Sequence, residues 1–213
     1  AFGRFQKLLS DFPVDSLYIT IPDFHNTKVR FENLRKAVEE DRLGRRGNVR
    51  AEIDFAFARE KDASVIVDLI EQKKIPVRVT HNDTKFNNVM IDDDTGEAVC
   101  VIDLDTVNPG SLLYDFGDSI RFGANPARED EQDLSKVYCD MKLFEYFTRG
   151  FIEELGDTLT DTERQHLAFS AKLMTFECGI RFLTDYLNGD TYFKIHYPDQ
   201  NLYRTRTQFK LVE

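Results

Sequence analysis

The residues whose types and spacing could do chemistry in this 213-residue sequence lie in Thr80-His81-Asn82-Asp83-Thr84-Lys85-Phe86-Asn87-Asn88 and in Ile102-Asp103-Leu104-Asp105. Between them, Val89-Met90-Ile91 and Val99-Cys100-Val101-Ile102 flank the turn-rich Asp92-Asp93-Asp94-Thr95-Gly96, which predicts a β-hairpin. If the turn centres between Thr95 and Gly96, Asn88 lies opposite Asp103. Directly opposed side chains have Cβ atoms about 4.5–5.5 Å apart. A magnesium ion, with ligand distances of roughly 2.0–2.1 Å, can be held by one or two such oxygens together with phosphates and waters. Asp83 sits in the loop entering the hairpin's open end, where its carboxylate would accept a proton from a substrate hydroxyl. Metal ligands at Asn88 and Asp103 with a base at Asp83 are the parts phosphoryl transfer needs.

Taken singly, Asp and Asn are common turn residues, and acidic clusters are usually solvated. The combination says more. His-x-Asp-x-x-x-x-Asn, followed after a hairpin by an apolar strand ending in Asp, reproduces the catalytic loop and metal-binding aspartate of protein kinases. Lys85 stands where the kinase loop has its lysine, positioned to contact the transferred phosphate. Asp115-Phe116-Gly117 spells the kinase metal motif but does not follow the hairpin strand, whereas Asp103 does. Asp115 and Asp118 therefore read as helix-entry or loop-bracing residues, and His81 as a hydrogen-bonder that fixes the loop.

Helices must carry this loop. Phe2, Phe5, Leu8 and Leu9 are spaced for a first helix that stops by Pro13. After a loop to about His25, two further helices are predicted from about Asn26 to Leu43 and from about Val49 to Gln72, with Gly44 to Gly47 as the break. From Ile75 the period changes, and Val77-Arg78-Val79 is short and extended. Val137, Met141, Phe144, Phe151 and Leu155 mark a helix ending at Gly156. A long helix starts at Thr160, where Glu163 completes a capping-box pattern. Its stripe Leu167, Ala171, Met174, Cys178 continues onto Arg181, a guanidinium on an otherwise apolar seam. The predicted fold class is α+β, mainly α, a helical domain with one small β-hairpin carrying the catalytic and metal residues.

Lys+Arg 28 against Asp+Glu 38 leaves a net charge of −10, which disfavours nucleic acid or an anionic membrane as partner. An acidic protein that handles phosphate needs local cations, often metal. No apolar run is long enough to span a bilayer. Three widely separated cysteines without a secretory leader predict no disulfide framework and a cytoplasmic location. Ala1 to Phe5 reads as the inside of an amphipathic segment, so a longer protein is expected.

The stretch Thr80 to Met90, Val101-Ile102-Asp103-Leu104-Asp105-Thr106 and Asp115-Phe116-Gly117-Asp118 resemble the aminoglycoside phosphotransferase and choline kinase superfamily. Within it, these motifs, Gly179 to Leu187 and Arg204 to Val212 look most like the N-acetylhexosamine 1-kinases. The resemblance implies the C-terminal, helical lobe of a protein-kinase-like fold. It implies ATP as donor, Mg2+ as cofactor and the anomeric hydroxyl of N-acetylglucosamine or N-acetylgalactosamine as acceptor. Under it Asp83 is the base, Asn88 and Asp103 hold magnesium, and Arg181 and Tyr192 contact the sugar with Phe122 as a wall. Without it, Arg181 reads equally as a snorkelling side chain and Tyr192 as core packing.

Kinase-like phosphotransferases enclose ATP beneath a separate β-rich lobe with a strand lysine. Nothing before Asp83 reads as that lobe, so an N-terminal lobe of the same protein is expected as partner. The same chemistry on an aminoglycoside, choline or another sugar is the alternative, because the catalytic loop is blind to the acceptor. A non-catalytic binding module needs none of Asp83, Asn88 and Asp103.

Overall fold

In the computed structural model, which describes residues 1–213, the chain runs α1 (Phe2–Leu8), α2 (Thr27–Glu40), α3 (Arg50–Phe57), α4 (Val65–Glu71), β1 (Arg78–Thr80), β2 (Val89–Ile91), β3 (Ala98–Val101), β4 (Asn108–Gly110), α5 (Leu112–Gly123), α6 (Met141–Leu155), α7 (Asp161–Asn188) and α8 (Gln200–Val212). The fold is mainly helical with two small antiparallel sheets, in keeping with the predicted α+β, mainly α class. Helix α7 is the spine. Its 28 residues extend about 42 Å at 1.5 Å per residue, and α2, α5 and α8 pack on it.

Thr160 caps α7 as its sequence predicts, accepting from Glu163 N–H while the Glu163 carboxylate accepts from Thr160 N–H at 2.9 Å. The same fully buried carboxylate takes two hydrogen bonds from Arg78 of β1, at 2.8 and 2.9 Å. One residue thus starts the spine and fastens it to the strand that leads into the Asp83 loop. Leu167, Ala171 and Met174 are buried on the predicted stripe. Glycines allow the closest approaches: a Cβ on Gly117 would collide with the Ser170 carbonyl, and one on Gly179 would lie 2.6 Å from the Phe209 ring. No helix is long and apolar enough to cross a membrane.

The helix predicted over Val49 to Gln72 is two helices, α3 and α4, separated by a 3-10 turn at Glu60–Ser64. Arg59-Glu60-Lys61-Asp62 at the joint offers no apolar side chain to carry the stripe across. Helix α2 stops at Glu40 because Asp41 turns left-handed, with φ of 38°. Helix α6 starts at Met141 and not at Val137, because the Asp140 side chain caps it by accepting from Lys142 and Leu143 N–H.

The predicted hairpin forms from β2 and β3, one register step away from the expected pairing. Val89 faces Val101, Met90 faces Cys100, and an irregularity brings Ile91 to Ala98. Asp92 fixes the turn by accepting from the N–H groups of Asp94 and Thr95, at 3.1 and 2.8 Å. At the open end, Ile102 N–H donates to the Asn88 carbonyl at 2.9 Å. Asn88 is therefore opposite Ile102, and Asp103 is the next residue. The second sheet, β1 with β4, places Thr80 opposite Asn108. Asn108-Pro109-Gly110 is written in turn residues, which hid that strand from a reading by pattern.

Candidate active site

The loop from Thr80 to Asn88 hangs on acceptors supplied by α5. Asp115, fully buried, accepts from the N–H groups of His81 and Asn82 at 2.9 and 2.8 Å and from Gln6 Nε2 at 2.6 Å. Burial pushes its carboxyl above the usual range, and those donors offset only part of the rise. Thr84 N–H donates to Asp118 at 2.9 Å, and its hydroxyl donates to the Asp115 carbonyl at 2.6 Å. Burial also acts to raise Asp118, but the charges of Arg121, 2.8 Å away, and His25 outweigh it and hold the carboxyl below its ordinary value. Both aspartates brace the loop from inside α5.

His81 is buried, edge-on to Phe2 and Phe5, with Nε2 facing the Ile102 carbonyl at 2.9 Å and Nδ1 facing Asp83 N–H at 3.3 Å. A carbonyl only accepts and an N–H only donates, so Nε2 carries the hydrogen. His81 ties the loop to the end of the hairpin. From the other side His25 links Glu177, at 2.7 Å, to the Asn82 carbonyl, at 2.9 Å. Asn82 is left-handed, with φ of 66°, a conformation that costs about 1–3 kcal/mol unless its surroundings enforce it. Here buried Asp115 and His25, bonded to its N–H and its carbonyl, do. Replacing Asp115 with alanine should leave the His81 and Asn82 N–H groups buried without acceptors, costing roughly 2–5 kcal/mol. Thermal or urea unfolding would register that loss, and an unchanged midpoint would refute the bracing role.

Within this frame Asp83 is half-buried between buried Asn82 and Thr84. Its carboxylate accepts from Lys85 Nζ at 2.7 Å and from Asn88 Nδ2 at 2.9 Å, and Asn88 Nδ2 also reaches the Asp83 carbonyl at 2.8 Å. Burial alone would lower the Lys85 pKa, but its hydrogen bond to Asp83 and the charges of Asp83, Asp103 and Asp118 raise it above its ordinary value. Lys85 therefore remains an ammonium at neutral pH. Strand pairing does not set the proposed metal ligands opposite one another as the sequence suggested, because Asn88 faces Ile102. Asp103 steps off the ladder in a left-handed conformation, φ 66° and ψ 57°, and lies exposed within electrostatic reach of Lys85. Neither the Asp103 carboxylate nor Asn88 Oδ1 accepts a hydrogen bond from the protein, so both oxygens are free. No three His, Cys, Asp or Glu side chains gather as a metal site anywhere in the chain, the Asn88 and Asp103 region included. A carboxylate and an amide oxygen suit a hard cation that takes its other ligands from phosphates and water.

Asp83, Lys85, Phe122, Arg181 and Tyr192 line one cleft of about 510 Å³, whereas Asn88 and Asp103 lie outside its lining. Arg181 is half-buried, with its guanidinium 5.6, 6.0 and 5.5 Å from the ring centres of Phe24, Tyr192 and Phe193. It neither runs out to solvent nor packs as apolar seam. Tyr192 is 69% exposed, which removes core packing as its role. Asp185, inside the stretch Gly179 to Leu187 but given no role from sequence, sets this wall by accepting from the N–H groups of Thr191, Tyr192 and Phe193 at 3.0, 2.8 and 3.0 Å. Glu129, also missed, bridges Arg121 at 3.2 Å and Arg204 at 3.5 Å inside the cleft. The sequence signal of Glu129 was acidity alone, which many surface residues share; that of Asp185 was its place in the stretch Gly179 to Leu187.

A braced loop presenting a carboxylate, an ammonium and two free hard oxygens beside an acceptor-sized cleft is phosphoryl-transfer architecture. Residues 1–155 match the model of the phosphotransferase enzyme family. The chain belongs to that family. The match takes in the whole loop from Thr80 to Asn88 and the hairpin of this phosphotransferase. Arg181 and Tyr192 lie beyond the matched span, on α7 and the segment that follows it.

Proposed function

We propose that this phosphotransferase moves the γ-phosphoryl group of ATP, with Mg2+, onto the anomeric hydroxyl of an N-acetylhexosamine. The observation that carries the reading is the single cleft in which Asp83 and Lys85 face Arg181, Tyr192 and Phe122. Asp83 orients the acceptor hydroxyl and takes its proton as the new O–P bond forms. The bond from the γ-phosphorus to the β–γ bridging oxygen breaks, and ADP leaves with that electron pair. Lys85 holds positive charge against the phosphoryl oxygens, and Asn88 Nδ2 fixes the carboxylate that accepts the proton. When bound at Asn88 and Asp103, the metal ion neutralises charge that builds up between the phosphates.

The cleft argues against a cationic acceptor. An aromatic cage could hold a quaternary ammonium, but here the faces of Phe24, Tyr192 and Phe193 are turned to Arg181. Lys85, Arg121 and Arg204 in the same lining are paired with Asp83, Asp118 and Glu129, so Arg181 and Lys194 are the cations there without a carboxylate partner. A neutral sugar offers hydroxyls to the Arg181 guanidinium and an apolar ring face to Tyr192. Arg181→Ala should raise the KM for the sugar at least tenfold and leave the KM for ATP within twofold. Equal effects on both would remove Arg181 from the acceptor site.

The nucleotide is proposed to lie over the exposed apolar side chains of the hairpin, including Met90, Ile91, Val99 and Ile102. Residues 1–213 hold two two-stranded sheets and no β-rich lobe to close over it. Assayed by itself, this span should bind ATP weakly and turn over at a small fraction of the whole protein's rate, because positioning is the main source of phosphoryl-transfer catalysis. Calorimetry and sugar phosphate formation check both halves, and tight binding with ordinary turnover would place the complete nucleotide site within these residues.

A further inference from the structure

Beside the acceptor cleft lies a second cavity of about 540 Å³, and the two meet at Arg181, Tyr192 and Phe193, which line both. Its outer wall comes from α2 and the residues just after it, with Arg30, Lys36 and Arg42. In a chain of net charge −10, four cations face this cavity against two carboxylates, Glu40 and Asp185. Neither carboxylate is free. Glu40 is paired with Arg42 at 2.8 Å and with Lys36 at 4.0 Å. Asp185 is buried and already accepts from three backbone N–H groups and from Asn201 Nδ2.

The two guanidinium groups deepest in the wall lack anionic partners. Arg30 directs Nε and Nη2 to the Phe24 carbonyl, at 3.2 and 2.7 Å, which leaves Nη1. Arg181 makes cation–π contacts only. The nearby Glu177 carboxylate is committed to His25 and Thr27, at 2.7 and 2.5 Å. Burial, and after it the charge of Arg181, lower the Arg30 pKa against the smaller opposing charges of Glu177 and Asp23, neither of which forms an ion pair with it.

We propose that this cavity is an anion-accepting extension of the acceptor cleft, so that the preferred acceptor carries a phosphate or carboxylate remote from the hydroxyl that Asp83 faces. The inference rests on the acceptor reading given above. Guanidinium groups match phosphate and carboxylate oxygens in a fork geometry. Arg181, at the junction, would face the ring on one side and the anion on the other.

The test uses the whole protein with ATP and Mg2+ and three acceptors whose anomeric hydroxyl is free: N-acetylglucosamine, its 6-phosphate and the corresponding uronate. The kcat/KM should be at least tenfold higher for the anionic sugars. Arg30→Gln and the more exposed Arg42→Gln should each raise the KM for the anionic sugars at least fivefold while the neutral sugar stays within twofold. The Arg42 variant carries the test if the Arg30 variant fails to fold. Neutral and anionic sugars used equally well, or variants that shift both KM values alike, would overturn the extension and leave the acceptor reading standing. Failure to phosphorylate any of the three would overturn the acceptor reading itself. Inorganic phosphate that binds the wild type by calorimetry and is lost in Arg30→Gln, without any preference for anionic sugars, would make the cavity a free-anion site and overturn the extension.

Discussion

Replacing Asp83 with asparagine should lower kcat by about 10²- to 10⁴-fold, the range over which a positioned general base contributes, while nucleotide affinity changes little. The amide keeps the size of the carboxylate and can still accept from Lys85 or Asn88, which now reach Asp83 at 2.7 and 2.9 Å. What it loses is the capacity to take the proton from the acceptor hydroxyl. Because Asp115, Asp118 and His81 hold the loop independently of the Asp83 side chain, unfolding should move little. A steady-state comparison of kcat with calorimetric ATP binding separates chemistry from binding. Near-normal kcat in the variant would sink the assignment of Asp83 as base.

The second large effect belongs to Asp103. Its carboxylate accepts no hydrogen bond from the protein, is exposed, and sits in a left-handed turn just after the hairpin ladder ends. A carboxylate without a partner in the fold is open to a ligand; the left-handed backbone, shared with Asp23, Asp41, Asp190 and Asp199, is ordinary for aspartate. Asp103→Ala should therefore reduce Mg2+-dependent turnover by roughly 10³-fold or more, since losing several kcal/mol of charge stabilisation translates into that factor. Asp105→Ala, at an exposed neighbouring aspartate, is the control and should keep near-wild-type rates. A magnesium titration of both variants decides the matter: unchanged turnover and metal demand in Asp103→Ala would exclude it as a ligand.

The spacing of Asp83, Lys85, Asn88 and Asp103 was legible in the sequence because catalytic loops are local, and a hairpin brings its two ends together whatever the rest of the chain does. The same holds for the Thr160–Glu163 capping box and the buried stripe of α7, which follow from rules acting within one helix. The register was not legible to one residue. The irregularity between Met90 and Ile91 depends on how Asp92 captures the N–H groups of Asp94 and Thr95, and turn placement at that precision is invisible in a run of three aspartates. Also hidden were the long-range partners. His25 meets Glu177 across 152 positions and Gln6 meets Asp115 across 109, and no pattern in a single sequence connects such residues. The motif Asp115-Phe116-Gly117 shows both sides of this. Because it does not follow the hairpin strand directly, its aspartate reads as a helix-entry or loop-bracing residue, yet only the fold reveals that Asp115 holds two N–H groups of the Thr80–Asn88 loop.

The most direct test of the central claim, that Asp83 serves phosphoryl transfer to a hexosamine hydroxyl, is to follow the whole protein by phosphorus NMR with ATP, Mg2+ and a panel of N-acetylhexosamines, choline and an aminoglycoside. The proposed function predicts one new phosphomonoester signal coupled to the anomeric proton of the hexosamine, formed one for one with ADP and abolished by Asp83→Asn. Phosphate appearing on choline or the aminoglycoside, with none on any hexosamine, would contradict it.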